Sequence, residues 1–428
     1  MQRLDFSDAR HLVARSALGQ EWGIITQLAG RSRADAVNTL LKGTNNHTPP
    51  LPAMTPWDNI MRMTNHSNKG KRDARMQMGR ESVRLKQWWM HHLLTTKAPV
   101  QERMTLFWHN HFTSSFEKVQ QPKIMYVQNQ LLRENALGNF ATMLRKMARD
   151  PAMLIYLDGS LNKKGKPNEN FARELLELFT LGRGHYNEQD IKAAAIAFTG
   201  WGADRNKGTF VYTPQENEGK RVRFLNQWVE SGDQVLDVLL KHRRTAEHIA
   251  EKFWHEFVSY QRPPAGTIRK WGNIFRSSNY QVSTLLKAVL NSNEFWDPRY
   301  RASLIKSPID LVVGTLRALP YQRPTVAELV HTSQLLGQDL FDPPNVKGWA
   351  GGKHWIDTQT LLVRTSLLNR LTRHTPASAN LVQRLPKTDG EQVVNWLLPR
   401  KPALALPSTP GKLRLVKALV LDPAYQLK

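Results

Sequence analysis

The chain contains no cysteine. Disulfide cross-links, thiolate metal sites and cysteine nucleophiles are therefore excluded, and the chain is compatible with an oxidising or a reducing compartment. It has no run of about 18 apolar residues, the length a membrane-crossing helix needs, so no transmembrane segment is expected. The N-terminus, MQRLDFSDARHLVARSALG, lacks the continuous apolar stretch of a signal peptide and reads as an amphipathic helix. As written, the chain is expected in the cytoplasm; if a leader was removed, it is expected in the periplasm or outside the cell. Four catalytic signatures are also missing: G-x-x-x-x-G-K-[ST], G-x-G-x-x-G after a strand, G-x-S-x-G and H-E-x-x-H. P-loop hydrolysis, Rossmann redox chemistry, serine-hydrolase chemistry and zincin proteolysis are disfavoured accordingly.

Acidic residues are in short supply. There are 36 Asp and Glu against 60 Lys and Arg, a formal net charge of +24. Such a balance favours a polyanion or an acidic protein as partner. The charges are spread along the chain, however. The tightest clusters are Lys69, Lys71, Arg72, Arg75 and Lys163, Lys164, Lys166, and a solvated basic surface with no dedicated partner explains them equally well. The hydrophobic share of 40% over 428 residues is enough for a sizeable core.

Helical signals fill most of that length. Ser7 or Asp8 can cap a first helix, Ser32 a second, and Pro99 and Pro151 suit first helical positions. Thr44–Pro56 reads as a loop, and the basic stretch Asn65–Gly79 as a flexible loop or a solvated helix. Strand signal is confined to Lys207–Phe224, two short β-rich runs around a polar turn, which predicts a hairpin. The expected fold is mainly α: a large multi-helix domain over residues 1–373 with a small β-hairpin insertion at about 207–224, followed by a smaller C-terminal helical segment over 374–428. Phe341–Trp355 (FDPPNVKGWAGGKHW) is a Pro- and Gly-rich loop that its aromatics must pin.

Several segments together carry a resemblance: HLVARSALG (His11–Gly19), MTLFWHNHFTSS (Met104–Ser115), LLRENALGNF (Leu131–Phe140), DPAMLIYLDG (Asp150–Gly159), PNENFARELLELFTLGRGHYNEQDIKAAAIAFTGW (Pro167–Trp201) and FDPPNVKGWAGGKHWIDTQTLL (Phe341–Leu362). In this order they resemble the large bacterial family catalogued as domain of unknown function 1800. The resemblance spans most of the chain and is thinnest after His374. It implies no activity. It does imply that members are often exported and often encoded beside a sulfatase-like protein, which becomes an expected partner. The chain departs from the family pattern at Asn217-Glu218, where a His-Asp pair is expected.

The residues offer a candidate site. From Asn168, which can cap a helix closed by Gly182, positions advance by about 100° per residue. Phe171, Leu175 and Leu178 share one side; Asn170, Arg173, Glu174 and Glu177 share the other. An exposed Glu169–Arg173–Glu177 ion-pair ladder explains these charges. Alternatively they face a cleft, with Glu174 and Glu177 as catalytic carboxylates whose pKa values differ, and Asn170 and Arg173 as substrate-orienting groups. His109-Asn110-His111 adds two imidazoles that point apart on a helix, one toward such a site and one into the cluster of Phe107, Trp108 and Phe112. Should the helix end there, His109, His111, Glu174 and Glu177 are the candidate ligands of a divalent metal. His185 is a loop histidine before Asn187, a good N-cap; in the enzyme reading His109 and His185 serve as catalytic proton-transfer or ligand groups, and otherwise His185 remains an ordinary turn residue. Trp349 and Trp355, with Lys347 and Lys353, can stack a sugar or base and hold an anion, or can simply nail their loop to the core. Two functions stay open: an enzyme with a carboxylate and histidine cleft acting on an anionic or glycan-like substrate, and a non-enzymatic binding or assembly protein. Nucleic-acid binding has charge but no motif in its favour.

Overall fold

Helix starts follow the capping chemistry. In the computed structural model, which describes residues 3–42, 49–64, 67–319, 321, 324–373, 389–408 and 411–428, Ser67, Asn139, Asp150, Asn187 and Asp357 each accept a hydrogen bond from a first-turn N–H. Asp5, rather than Ser7 or Asp8, caps the first helix, Phe6–Ser16. Pro99, Pro122, Pro151 and Pro308 stand at helix starts, where their missing N–H leaves no bond unmade. The basic stretch after Ser67 is helical and continues unbroken as Asn68–Thr95, with Lys69, Lys71, Arg72 and Arg75 exposed. The expected division at residue 373/374, the Pro- and Ser-rich stretch behind it, part of the Thr44–Pro56 loop and Asn65 lie outside the described residues. Among those described, no helix is long and apolar enough to cross a membrane.

The protein is mainly α-helical, and its described strands form only two antiparallel two-stranded sheets. The two β-rich runs of Lys207–Phe224 are not partners. Thr209–Tyr212 pairs back with Trp201–Asp204, while Val222–Phe224 pairs forward with Gln227–Val229. The second hairpin closes on Leu225 and Asn226, both with positive φ (44° and 62°). That backbone matches the right-handed twist of the strands, and a leucine there hides the turn from sequence inspection. Asn217 and Glu218 bind neighbouring chain: Asn217 donates to the Thr199 carbonyl, and Glu218 accepts from the Gly165 N–H.

The helices Asn68–Thr95, Pro99–His111 and Pro122–Glu134 pack around Trp89 and Trp108, both fully buried. Between them lies a buried ionic knot. Glu102 accepts from Arg133 Nε (2.5 Å) and Nη2 (3.0 Å) and from the Trp89 indole (3.1 Å), with His92 Nε2 at 3.2 Å. Burial alone would raise the Glu102 pKa, but Arg133 and His92 outweigh it and hold the carboxyl at about 2. A carboxyl depressed on folding stabilises the protein above its unfolded pKa, near 4, and that contribution is lost as pH falls through about 2. Between those values the protein is expected to lose on the order of 3 kcal/mol from this group. Acid unfolding followed by circular dichroism checks it: Glu102→Gln should start from lower stability and show a flatter acid limb. An unchanged acid limb would place the acid sensitivity elsewhere.

The described C-terminal helices lie on the N-terminal ones. Trp396 in Gly390–Leu397 donates to the Gln20 carbonyl (2.7 Å), and Gln20 donates back to Leu397 O (2.8 Å). Near the end of the chain, the Lys428 N–H donates to Leu304 O (2.8 Å) and its ammonium reaches Asp310 (2.6 Å).

Candidate functional site

Segments far apart in sequence enclose a cavity of about 660 Å³. One wall is the C-terminal part of Pro99–His111, bringing Arg103, Phe107, Asn110 and His111. A second is the Arg243–Phe257 helix, where Lys252, His255 and Glu256 stand at i, i+3 and i+4 and share one face. The third is the loop Lys347–Trp355, with Tyr260 beside it.

The loop is held by its backbone. Gly348 sits at φ +76°, and a Cβ there would run into the Asn110 side chain and lie 2.6 Å from its carbonyl oxygen. This close approach lets Asn110 Oδ1 accept from the Trp349 N–H at 2.7 Å. Asn345 turns the chain before it, accepting from the N–H groups of Lys347 and Gly348. Gly352, at φ +60°, lies against the ring of Tyr260.

The two histidines of His109-Asn110-His111 point to different places. His109 is boxed by Trp89, Phe341 and Trp349, with ring centroids 5.0–5.7 Å apart within that set. Both its nitrogens lack hydrogen-bond partners, and burial lowers its pKa to about 4, only partly offset by Asp342. His111 packs on Phe112 and Trp108 (4.6 and 5.5 Å) and also lines the cavity. Burial, then the charges of Lys252 and His248, keep its pKa well below the usual imidazole value. Its ring nitrogens are unpartnered, the Phe179 carbonyl lying outside hydrogen-bond geometry.

The cavity is rich in cations. Arg103 is satisfied by Glu256 (2.8 Å) and Asp310, and Lys428 by Asp310. Lys252, Lys347 and Lys353 line the cavity with no ion pair among the described residues. Trp349 and Trp355 are buried at its edge, and the Trp349 indole N–H has no partner.

The carboxylates are not among the residues that line this cavity. Asn170–Glu174 is α-helical, but Leu175–Thr180 widens into a π-helical turn, a feature often found at functional sites. The wider turn takes Glu177 out of the expected ladder. Arg173 pairs with Glu169 (3.1 Å) and Glu188 (2.7 Å), while Glu177 accepts from Arg183 (2.6 Å) and the Tyr186 hydroxyl (3.0 Å). Glu174 is half-buried and has no hydrogen bond or ion pair among the described residues. Burial raises its pKa, the Glu177 charge adds to this, and Lys347 pulls it back. Lys347 lines the cavity, whereas Glu174 does not. Asn170 donates to Asp158 (3.3 Å), which also binds Lys118.

The structure therefore gathers His111, Trp349, Trp355, Lys347 and Lys353 around one space, and leaves Asn170, Arg173, Glu174 and Glu177 outside its lining. It does not bring in His109, which is enclosed by aromatics, or His185, which is exposed beside His242. Among the described residues, no group of three or more His, Asp and Glu side chains could hold a metal ion. Sequence inspection passes over Lys252, His255 and Tyr260. Their only signal is that Lys252 and His255 flank the buried Phe253-Trp254 pair on the face that a plain amphipathic helix would give to solvent.

The family model described as a protein of unknown function, DUF1800, matches residues 11–427. The chain belongs to that family. No curated protein and no solved structure matches it.

Proposed function

For this DUF1800 protein we propose that the 660 Å³ cavity is a ligand site for an anionic molecule with a sugar- or ring-sized body. Its size falls within the range of about 300–1,000 Å³ usual for small-molecule sites. The observation that carries the reading is the set of cavity cations left without carboxylate partners, above all Lys347 and Lys353 on the loop. An ammonium held without a counter-charge is a ready acceptor of phosphate, sulfate or carboxylate. Trp349, Trp355 and Tyr260 supply apolar faces against which a ring can lie. As an enzyme, the protein would use Glu174 as its proton donor, since burial and the charge of Glu177 favour the protonated form, while Glu177 is itself fastened by Arg183 and Tyr186.

Calorimetric titration at low salt tests this, with inorganic phosphate and a short uronic-acid oligosaccharide as probes. Lys347→Met and Lys353→Met are each expected to weaken binding about five- to tenfold, the effect of losing roughly 1 kcal/mol of charge contact. Equal affinity in wild type and both variants would end the cavity reading. If only long polyanions bound, with steep salt dependence, the exposed Lys69, Lys71, Arg72, Arg75 face of Asn68–Thr95 would become the binding surface instead.

A further inference from the structure

Lys252 differs from the other free cations of the cavity. It stands mid-helix in Arg243–Phe257, with His248 one turn before it and His255 one turn after it on the same face. His111 closes in from the end of Pro99–His111, its ring centroid 6.5 Å from that of His248. The titratable groups around the amine are thus three imidazoles and the carboxylates of Glu251 and Glu256. Both carboxylates are already engaged, Glu251 by Arg244 (2.5 and 2.7 Å) and Glu256 by Arg103 (2.8 Å). His248 is tied to Leu178 O (3.0 Å) and His255 to Ser259 O (3.1 Å), which fixes how the rings lie. Among the described residues, the Lys252 ammonium has neither hydrogen bond nor ion pair. A lysine meant to grip an anion permanently gains from staying charged. This one is placed where charge is disfavoured: burial lowers its pKa, and Glu251 offsets this only in part.

We propose that Lys252 is a carbonyl-reactive amine, and that the cavity captures an anionic aldehyde or ketone on it as an imine. The anionic part of this proposal rests on the ligand site described above; the reactivity of the amine does not. In the step, the lone pair of neutral Lys252 Nζ forms a bond to the carbonyl carbon, and the C=O π electrons move to oxygen. Proton transfer from nitrogen to oxygen gives a neutral carbinolamine. Its hydroxyl, protonated by an acid of the site, then leaves as water, and the nitrogen lone pair closes the C=N bond as a protonated imine. His255, on the cavity wall beside Lys252, is positioned to carry the proton. No oxidant or reductant takes part.

Pyridoxal 5′-phosphate is the probe, since it unites an aldehyde with a phosphate. The full chain is incubated with one equivalent, reduced with borohydride, digested, and mapped by mass spectrometry. The reduced adduct is expected on Lys252 at about tenfold or more over any surface lysine, because burial favours its neutral amine more than theirs. Its labelling rate should reach half-maximum at a lower pH than that of surface lysines in the same digest. Lys252→Arg should remove this adduct and leave the rest of the map unchanged. Label spread over surface lysines, with Lys252 no more reactive than they are, would overturn the proposal; since the wild-type map decides this, misfolding of a variant cannot obscure it. Pyridoxal without the phosphate separates the two ideas. If it labels Lys252 as fast as the phosphate ester does, the reactive amine stands and its anionic substrate falls. If the phosphate ester binds reversibly, in competition with inorganic phosphate, yet leaves Lys252 unlabelled, the ligand site stands and the amine falls.

Discussion

Asp310→Ala should bring this protein close to unfolding. Asp310 is buried at the start of Pro308–Ala318, where it completes a capping box with Ser307. It also accepts from Arg103 and, at 2.6 Å, from Lys428. Burial by itself would raise its pKa, yet Arg103 and Lys428 hold it far below the usual carboxylate range. Two further buried cations depend on it: Lys306, lowered to about 7 by burial despite Asp310, and Arg364, lowered to about 10. Removing one member of a buried ion network leaves uncompensated charge and costs about 3–5 kcal/mol. Proteins of this kind are stable by only about 5–15 kcal/mol, so a single substitution would take a large share. The penalty should be smaller at pH 9 than at pH 6, because Lys306, whose folded pKa is lowered, sheds its proton as pH rises through about 7 and no longer needs the carboxylate. Urea unfolding of Asp310→Ala at both pH values measures this. A midpoint equal to that of wild type at pH 6 would mean that these cations find other partners.

Gly348→Ala should damage the cavity with little effect on the rest of the fold. Alanine in the left-handed region costs about 1–2 kcal/mol, and its Cβ cannot share space with Asn110. The loop must then lift from the helix end, breaking the Trp349 N–H bond to Asn110. Lys347 and Trp349 move with it, so a cation and an aromatic wall are lost together. Affinity for phosphate or the uronic-acid probe is expected to fall about tenfold or more, equivalent to some 1.4 kcal/mol or above. The buried Trp349 should also become exposed, with a red shift of tryptophan emission, while far-ultraviolet circular dichroism stays unchanged. Asn110→Ala breaks that bond, and the one Asn110 Nδ2 donates to the Trp349 carbonyl (3.4 Å), without backbone strain and should reproduce the loss in milder form. If Gly348→Ala bound the probes as tightly as wild type, the loop would not be part of the site.

Local rules written in the chain account for much of the helical scaffold. Asn187 caps its helix as its position promised, with Asp190 completing a capping box, Asp357 caps Thr358–Leu371, and Pro99, Pro151 and Pro308 open their helices. These features act over three or four residues, so one sequence is enough to see them. The hairpins were half legible: the β-rich runs were visible, but their partners lay outside the stretch that looked like one hairpin. The Glu169–Arg173 rung of the expected ladder forms, but the Arg173–Glu177 rung does not, because it assumed a constant helical pitch. The π-turn at Leu175–Thr180 adds backbone to that pitch and sends Glu177 to Arg183 and Tyr186.

By itself the sequence determined the helical class, the family, the excess of cations, the absence of thiol chemistry, and a Trp-, Gly- and Lys-rich loop that needed pinning. Tertiary structure alone decided that this loop faces the Lys252–His255 side of a helix about 100 residues away, that His111 reaches the cavity while His109 is sealed among aromatics, and that Glu174 is left without a partner. The physical reason is one of range. Periodicity, caps and turn residues specify which way a side chain leaves its own element, but burial, desolvation and charge pairing depend on which other element arrives opposite it.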